Sequence, residues 1–502
     1  MKLALLAALL CAAFLALAGT ASANTFNVTT TDDDIGACDP GDCSIREALA
    51  AADANPGEDT VNVPAGHYLL QHGQLVTDPD DSATLNFVGH SARDTIIDAN
   101  GQSRVYYVNE GTVNLSHMTI TGGVAPGDDP DAPGQGGGIF LNDNQMNLDH
   151  VAVIGNQALS EPDFGGQGGG IFANEPMTIT NSVVGGNIAD GTGGTFSGGQ
   201  GGGIFANEPV DMTNVTLSDN EAKPAVGAIF PDGQGGGEFV NEISTWKHVT
   251  VAGNRSSGAL DNAAGGVFIN EDMTIANSLI AGNTVDGTEQ NCVVNTPTVT
   301  EQGHNLQGTN DCGFTAAGDI TGNPVLGALG NNGGETDTRA LLTGSPAIDT
   351  AGADVCAATD QRDLPRPALG GCDIGAFEVQ AAAPPAPPAP PVPATDTTKP
   401  RVSVAGVRSA CVTHSVSVRV RASDPSGVHS TRVTLDGKRI KTRNKTNFTL
   451  KINVKKLKPG RHVLRIVTQD GAGNTTSARR TITRCAKPAA KPRRRVAPRF
   501  TG

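Results

Sequence analysis

Aromatic residues are scarce in this chain of 502 residues, which contains one tryptophan, three tyrosines and 15 phenylalanines. From Lys399 onward, only Phe448 and Phe500 are aromatic. Proteins that bind single-stranded nucleic acids stack the bases on aromatic side chains, so we expect no nucleic-acid partner. No apolar run after Ala18 is long enough to cross a membrane, and we therefore expect no transmembrane segment.

Basic residues are also scarce up to Thr398, where 10 lysines and arginines accompany 48 aspartates and glutamates. From Lys399 onward the proportions reverse, with 26 basic and 3 acidic residues. The two regions carry formal charges of −38 and +23, which together give the net charge of −15. Opposite charges indicate different partners, and the basic region is predicted to bind anionic envelope polymers.

Residues 1–23 have the pattern of a secretory signal peptide, with Lys2, an apolar run and a small-residue cleavage site at Ala21-Ser-Ala23. We expect the mature protein to be secreted, extracellular or attached to the cell surface. An exported chain meets oxidising conditions, and the eight cysteines that follow the signal peptide occur in local pairs. The predicted disulfides are Cys38–Cys43, Cys292–Cys312, Cys356–Cys372 and Cys411–Cys485.

Five copies of a Gly-Gly-x-Phe-x-Asn pattern organise the chain between Gly136 and Asn283. Their phenylalanines follow one another at 32, 33, 34 and 29 residues, a period typical of solenoids. Each copy contains short β-rich runs in which the pattern alternates with a period of two residues, and no copy contains a helical run long enough for a βαβ unit. Constant spacing allows equivalent residues to stack from coil to coil, so the pattern predicts an all-β protein built on a right-handed parallel β-helix.

Asparagines form two columns in these repeats. One column follows each phenylalanine by two residues, and the other lies 15 or 16 residues after it. Such columns are either a polar ligand strip or amide ladders in which each side chain bonds its neighbour, and we favour structural ladders. The ladder residues are Asn142, Asn174, Asn207, Asn241 and Asn270, then Asn156, Asn187, Asn220, Asn254 and Asn283.

An acidic column stands directly after the first asparagine column. Stacked carboxylates repel one another unless they are solvated or bridged by cations. We favour a solvated turn for this column, and a calcium site is the alternative, because calcium binds carboxylate oxygens. The candidate metal ligands are Asp143, Glu175, Glu208, Glu242 and Glu271. A third column contains both histidine and asparagine, from His117 and His150 to Asn277. This mixture indicates a hydrogen-bonding role for the column and not metal binding.

Length-variable inserts separate the repeats, and a Gln-Gly-Gly-Gly sequence leads into four of the five, at Gln135, Gln167, Gln200 and Gln234. Variable loops on one side of a rigid solenoid are where binding grooves are usually built. Three of these inserts carry Phe164, Phe196 and Phe230. We therefore name these phenylalanines, together with Glu175, Glu208 and Glu242 of the acidic column, as candidate ligand-binding residues for a carbohydrate or peptide.

Three segments resemble known families. Cys43-Ser-Ile-Arg-Glu-Ala48 resembles the Cys-Ser-Leu-Arg-Glu-Ala module at the start of a family of exported bacterial β-helix proteins. The repeats resemble those of polymorphic outer-membrane proteins, and residues 322–378 resemble the C-terminal segment of choice-of-anchor-type surface proteins. These resemblances imply an exported right-handed parallel β-helix over residues 24–380.

Composition and pattern divide the chain into six regions. Alternating strands with turns at Asp436-Gly437 and Asp470-Gly471 indicate a small immunoglobulin-like β-sandwich behind a Pro/Ala tract. The regions are a signal peptide at 1–23, a capping module at 24–65, the β-helix with its closing segment at 66–380, a proline-rich linker at 381–398, the immunoglobulin-like domain at 399–485 and a basic disordered tail at 486–502.

Two functions remain open on the sequence. A binding or adhesion protein that contacts carbohydrate or envelope polymers, and is a monomer, explains the loops and the basic region. The alternative is a secreted polysaccharide lyase or glycoside hydrolase, because pectate-lyase-like proteins share this fold. That chemistry requires paired carboxylates or a base beside a cation, and Lys223, Lys247, Arg255 and Arg339 lie in no such motif. We therefore expect a binding protein and not an enzyme.

Overall fold

A computed structural model describes residues 23–78, 83–129, 132–259, 261–295, 298–381, 396–444 and 446–486. Apart from their boundary residues, the predicted signal peptide, proline-rich linker and basic tail lie outside these ranges. The chain divides into two compact units, Met1–Ala383 and Pro384–Gly502, and each is described by itself. Within the described ranges, no helix is both long and apolar enough to cross a membrane.

The first unit contains a helix, Ile45–Asp53, within the predicted capping module, and a capping box begins it. The amide of Ser44 donates to Oε2 of Glu47 at 2.9 Å, and the amide of Glu47 donates to Oγ of Ser44 at 3.2 Å. Ile45, Ala48 and Leu49 pack on the core of the first coils. The helix therefore covers apolar surface at the start of the solenoid.

Three parallel sheets run along the solenoid, and the largest, the long sheet, contains 16 strands. Its strands are Thr25–Asn27, Glu58–Val63, Gly66–Leu69, Thr84–Gly89, Thr95–Asp98, Thr112–Thr121, Met146–Ile154, Met177–Thr180, Val183–Gly185, Val210–Ser218, Ser244–Ala252, Met273–Ala276, Leu279–Ala281, Val299–Glu301, Leu306–Gln307 and Ile320–Thr321.

The second sheet, the phenylalanine sheet, carries the repeated Phe at the centre of its strands. Phe140 pairs with Phe172, and Phe172 pairs with Phe205, so the register follows the sequence repeat. Ile139 and Leu141 belong to the interior core, whereas Phe140 faces the other way, because neighbouring residues of a strand face opposite sides. The strands are Leu75–Thr77, Tyr106–Val108, Ile139–Leu141, Ile171–Ala173, Ile204–Ala206, Glu238–Val240, Val267–Ile269 and Cys292–Val294.

The third sheet, the short sheet, consists of seven two-residue strands. They are Val124–Ala125, Gln157–Ala158, Ile188–Ala189, Glu221–Ala222, Arg255–Ser256, Thr284–Val285 and Thr288–Glu289, of which the last pairs antiparallel. The prediction of a parallel β-helix is confirmed by these three sheets. Their interior is filled by stacked valine, isoleucine, leucine and methionine side chains.

Residues 323–380, which we call the strap, follow the last coil. The strap contains a hairpin of Leu326–Gly330 and Thr338–Leu341, a short 3-10 helix at Ala353–Val355, and the Cys356–Cys372 disulfide. It is held together by the buried ion pair between Arg366 Nη1 and Glu378 Oε2, 3.0 Å apart. The segment predicted to close the solenoid runs back along its flank, bonding coils from His304 to His117.

The second unit is a sandwich of two antiparallel sheets. One sheet contains Arg401–Ala405, Val416–Ser423 and Asn447–Ile452, and the other contains Lys438–Arg443, Val428–Leu435, Gly460–Asp470 and Thr475–Arg484. A 3-10 helix at Val454–Lys456 lies between the strands Asn447–Ile452 and Gly460–Asp470. The core is a cluster of valine, leucine and isoleucine side chains. The described residues of both units contain all four predicted disulfides.

Candidate functional site

The repeated phenylalanines form a buried stack. Ring centroids from Tyr107 through Phe140 to Phe268 lie 5.0–5.3 Å apart, with planes 2–20° from parallel. The guanidinium of Arg104, which is completely buried, lies 5.2 Å from the Phe140 centroid. It also donates to the carbonyl oxygens of Ala132, Gln135 and Gly136. This column is therefore closed to ligands and forms part of the scaffold.

The second asparagine column lies in the interior of the solenoid. Oδ1 of Asn220 accepts from both the amide N and Nδ2 of Asn187, each at 3.0 Å. Nδ2 of Asn220 donates to Oδ1 of Asn254 and to the carbonyl of Val184, again at 3.0 Å. In the first column, Nδ2 of Asn207 donates to Asn174 at 2.9 Å, and this column is only partly buried. Both columns bond coil to coil.

The histidine and asparagine column occupies one bend of the long sheet. Its residues adopt left-handed backbone conformations, with φ of 57° at His117, 55° at His150, 56° at Asn214 and 49° at Asn277. Asparagine and histidine are among the side chains that tolerate this region best. The strap binds the column through carbonyl oxygens, with Nδ2 of Asn214 donating to Thr359 and Nδ2 of Asn277 donating to Gly352, and through the two carboxylates described below. The alternation of histidine and asparagine thus reflects the backbone conformation and hydrogen bonding with the strap.

His117 and His150 are the two stacked histidines of that column. Their ring centroids are 5.1 Å apart, and Nδ1 of His117 lies 3.0 Å from Oε2 of Glu335 in the strap. Nε2 of His150 lies 2.8 Å from Oδ2 of Asp363. Nδ1 of His150 lies 3.0 Å from Oδ2 of Asp149, within ion-pair distance although the angles are not those of a hydrogen bond.

The charge state of His150 follows from these contacts. Burial opposes its positive charge, but Asp149 and Asp363 outweigh burial and raise the pKa of His150 to about 9. Burial likewise opposes the charge of Asp149, yet contacts with His150 and Thr180 lower the pKa of Asp149 to about 2. His117, Asp149 and His150 lie within 4.8 Å of one another. The attraction between a protonated His150 and the carboxylates of Asp149 and Asp363 explains why these side chains lie together without a metal ion.

The acidic column follows each strand of the phenylalanine sheet, at the end opposite to the inserts. Burial, together with Asp143 and Glu208, raises the pKa of Glu175 above its usual value. Two groups of three possible metal ligands lie within 4.8 Å in the described ranges, and neither includes a residue of this column. The carboxylates of Asp143, Glu175, Glu208, Glu242 and Glu271 are therefore stacked and not convergent.

The group of three carboxylates that does converge lies in the second unit, where the sequence prediction placed no site. Asp396, Asp424 and Asp470 offer carboxylate oxygens within 4.8 Å of one another. Oδ2 of Asp396 and Oδ2 of Asp424 are buried and accept no hydrogen bond. Oxygen ligands of this kind are those that calcium prefers. The repeat pattern could not reveal them, because these three aspartates come from distant positions in a domain without sequence repeats.

The insert phenylalanines are brought together as a second, exposed column. The Phe164 and Phe196 centroids are 5.2 Å apart, and those of Phe196 and Phe230 are 5.3 Å apart, in edge-to-face geometry. Their exposed fractions are 38%, 40% and 50%. The inserts stack through backbone hydrogen bonds, in which the Phe196 amide donates to Asp163 at 2.6 Å and the Phe230 amide donates to Phe196 at 2.8 Å.

A cavity of about 490 Å³ lies beside the start of this aromatic column. Its lining includes Asp128, Glu161, Pro162, Asp190 and Thr192. Burial and the neighbouring Asp163 raise the pKa of Glu161. The carboxylates close to the aromatic column therefore belong to the inserts, whereas the predicted partners Glu175, Glu208 and Glu242 lie at the other end of the strands.

One carboxyl group is buried inside the solenoid. Glu238 occupies the position of Ile139, Ile171 and Ile204 in the other coils, and burial raises its pKa to about 8. Oγ of Ser244 donates a hydrogen bond to Oε1 of Glu238 at 3.2 Å and accepts one from Nε1 of Trp246 at 2.9 Å. Oε2 of Glu238 has no hydrogen bond. Glu238 is fully buried, so it is not placed to meet a substrate.

Residues 404–466 match the family model described as Bacterial Ig domain. This match confirms the prediction of an immunoglobulin-like sandwich after the β-solenoid. No curated protein and no solved structure matches the chain. A β-solenoid, four disulfides and a bacterial Ig domain are consistent with an extracellular protein.

Proposed function

We propose that this is an extracellular binding protein that holds a carbohydrate chain along the exposed aromatic column of its solenoid. The observation that supports this function is the column of Phe164, Phe196 and Phe230, which are exposed yet held in register by the backbone of the inserts. Exposed aromatic rings on a rigid frame give contact area at little cost in conformational entropy. The Asp128, Glu161 and Asp190 side chains beside them supply acceptors for sugar hydroxyls.

The basic second unit attaches the protein to anionic polymers of the envelope in this proposal. Its charge of +23 from Lys399 onward would draw polyanions, with an attraction that weakens as salt is added. A single chain would thus carry the binding surface on one unit and the attachment on the other.

Calorimetric titration of the full-length protein with a panel of neutral oligosaccharides tests the binding function. The variant Phe164→Ala/Phe196→Ala/Phe230→Ala is expected to weaken binding at least tenfold, because three aromatic contacts are lost together. The matched control replaces Ile243, Leu342 and Leu369 by alanine, since these side chains are also exposed but lie apart from the column. Equal affinities of the wild type and the aromatic variant would refute the proposal.

One observation supports the alternative function, a lyase or hydrolase. Burial and neighbouring carboxylates raise the pKa of Glu175, which is the direction needed in a general acid. Following the chain length of the same glycans, with wild type and Glu175→Gln, separates the two functions. Shortening that is lost in Glu175→Gln would establish an enzyme, and binding without shortening would establish the binding protein.

A further inference from the structure

Arginines of the second unit are concentrated on the outer face of its four-stranded sheet. Arg465 lies between the fully buried Leu464 and Ile466, and Arg432 lies between the buried Thr431 and Val433, so both guanidinium groups point away from the core. Arg479 pairs directly with Arg465 on the neighbouring strand. All three arginines are exposed.

These arginines line one shallow cavity of about 480 Å³, together with Thr434, Val463 and Val467. Thr434 pairs with Arg465 and Arg432 pairs with Val467, which places Arg432 diagonal to Arg465. Directly opposed side chains of a sheet are close enough to interact, and like charges at such positions destabilise it. The site therefore concentrates positive charge at positions where that charge does not stabilise the sheet.

No carboxylate neutralises this charge within residues 396–444 and 446–486. The acidic residues there are Asp396, Asp424, Asp436 and Asp470. Asp436 Oδ2 is 2.6 Å from His462 Nδ1, and the other three lie beside one another. Arg432, Arg465 and Arg479 form no ion pair in these ranges. An external anion is the partner that this arrangement lacks.

We propose that the cavity lined by Arg432, Arg465 and Arg479 is a binding site for an acidic polysaccharide whose chain carries repeated carboxylate or phosphate groups. The planar guanidinium group forms paired hydrogen bonds with either group, which a lysine ammonium does not match. The Thr434 hydroxyl and the apolar surface of Val463 and Val467 suit the sugar rings between the charges. The site offers no aromatic ring for a nucleobase, which disfavours nucleic acid. The assignment rests on the proposed attachment function and locates it.

The three-stranded sheet of the same unit provides a matched control. Arg401, Arg419 and Arg421 are also exposed on its outer face. They pair with Ser423, Ala405 and Ser403, respectively, so no two of them are directly opposed. Replacing either set of three arginines by glutamine removes the same charge, and only one set lines the proposed site.

The experiment measures the affinity of full-length protein for sodium polygalacturonate and for a polyglycerol phosphate, at several salt concentrations. The Arg432→Gln/Arg465→Gln/Arg479→Gln variant is expected to bind at least tenfold more weakly, and the control variant within about threefold of wild type. The slope of log affinity against log salt should fall by roughly two to three in the first variant only, because contacts with anionic groups are lost. Comparison of the two polymers shows whether carboxylate or phosphate is preferred.

Equal losses in both variants would overturn the site while leaving attachment by overall charge intact. Absence of binding to either polymer by the wild type would overturn both the site and the attachment function. Tighter binding of single-stranded DNA than of either polymer would overturn the choice of ligand. The Arg432→Lys/Arg465→Lys/Arg479→Lys variant keeps the charge, and retention of full affinity in it would overturn the role of paired guanidinium hydrogen bonds.

Discussion

His150 Nε2 donates to Asp363 Oδ2 across 2.8 Å and joins residues that lie 213 positions apart in the chain. The imidazole belongs to a bend of the solenoid, and the carboxylate belongs to the strap that runs back over it. Because Asp149 Oδ2 lies 3.0 Å from the other ring nitrogen, His150 is held between two negative charges. The strap is thus fastened at this coil by an ion pair that depends on one proton.

Replacing His150 by asparagine should remove a pH-dependent part of the stability. Asn214 already occupies the equivalent left-handed position, so the backbone tolerates the change. The pKa of His150 is raised to about 9, so its contribution is complete below the unfolded value near 6.5 and is lost as pH rises through 9. The exposure of Asp363 weakens the pair, and we expect wild type to be more stable by on the order of 2 kcal/mol at pH 6.

The measurement is urea unfolding of both proteins at pH 6 and pH 10, followed by the fluorescence of Trp246, the single tryptophan, which is 1% exposed. His90→Asn serves as the control, because His90 and Asp94 form an exposed pair whose loss should cost less than about 1 kcal/mol. A difference between wild type and His150→Asn that is the same at both pH values would contradict the ion-pair explanation.

Glu238 should make the solenoid less stable at alkaline pH. Burial raises its pKa to about 8, so the neutral acid is favoured in the folded state. Stability from this group is therefore highest below about pH 4.5 and declines until Glu238 ionises near pH 8. Glu238→Ile, which restores the residue of the neighbouring coils, should raise the free energy of unfolding at pH 9 by several kcal/mol and by less at pH 5.

Glu238→Gln separates charge from packing in the same unfolding experiment. Glutamine keeps the side-chain length and can still contact Ser244, but it does not titrate. We expect its stability to vary less than that of wild type between pH 5 and pH 9. If wild type and both variants respond to pH in the same way, the titration of Glu238 does not limit the stability of the core.

The repeat predicted the solenoid well because register is a local property of constant spacing. Phe140, Phe172 and Phe205 pair as their sequence positions indicate. The path of the strap could not be predicted, since Glu335 reaches His117 across 218 residues without any period. The alternation around Arg432 and Arg465 shows that both point outward, but which strands are neighbours, and hence that Arg465 opposes Arg479, requires the fold. The features that the sequence did not reveal are therefore those whose contacts are long-range and unrepeated.

The buried asparagine ladder should be far more sensitive to mutation than the outer one. Asn220→Ala would remove the acceptor of the Asn187 amide, one of the two acceptors of Asn187 Nδ2, and the side-chain donor to the Val184 carbonyl, all in the interior. Unsatisfied buried groups cost about 1–3 kcal/mol each, so we expect a loss of at least 3 kcal/mol. Asn207→Ala in the partly buried ladder is the matched control, and water should limit its cost to about 1 kcal/mol. Equal losses would show that burial does not decide the role of each ladder.

Arg104 should contribute strongly to the stability of the first regular coils. Its guanidinium group packs on Phe140 and donates to the carbonyls of residues 132–136, the loop that leads into the strand of Phe140. Its side chain is completely buried, and it also donates to Oε1 of Gln74 at 2.7 Å. Arg104→Ala removes all these donors and leaves buried carbonyls unpaired, so we expect a loss of roughly 3–5 kcal/mol. Arg104→Lys, which keeps the charge but not the planar set of donors, should recover less than half of it. Urea unfolding monitored by circular dichroism measures both, with the exposed Arg255→Ala as the control, and full recovery by lysine would show that charge alone holds this loop.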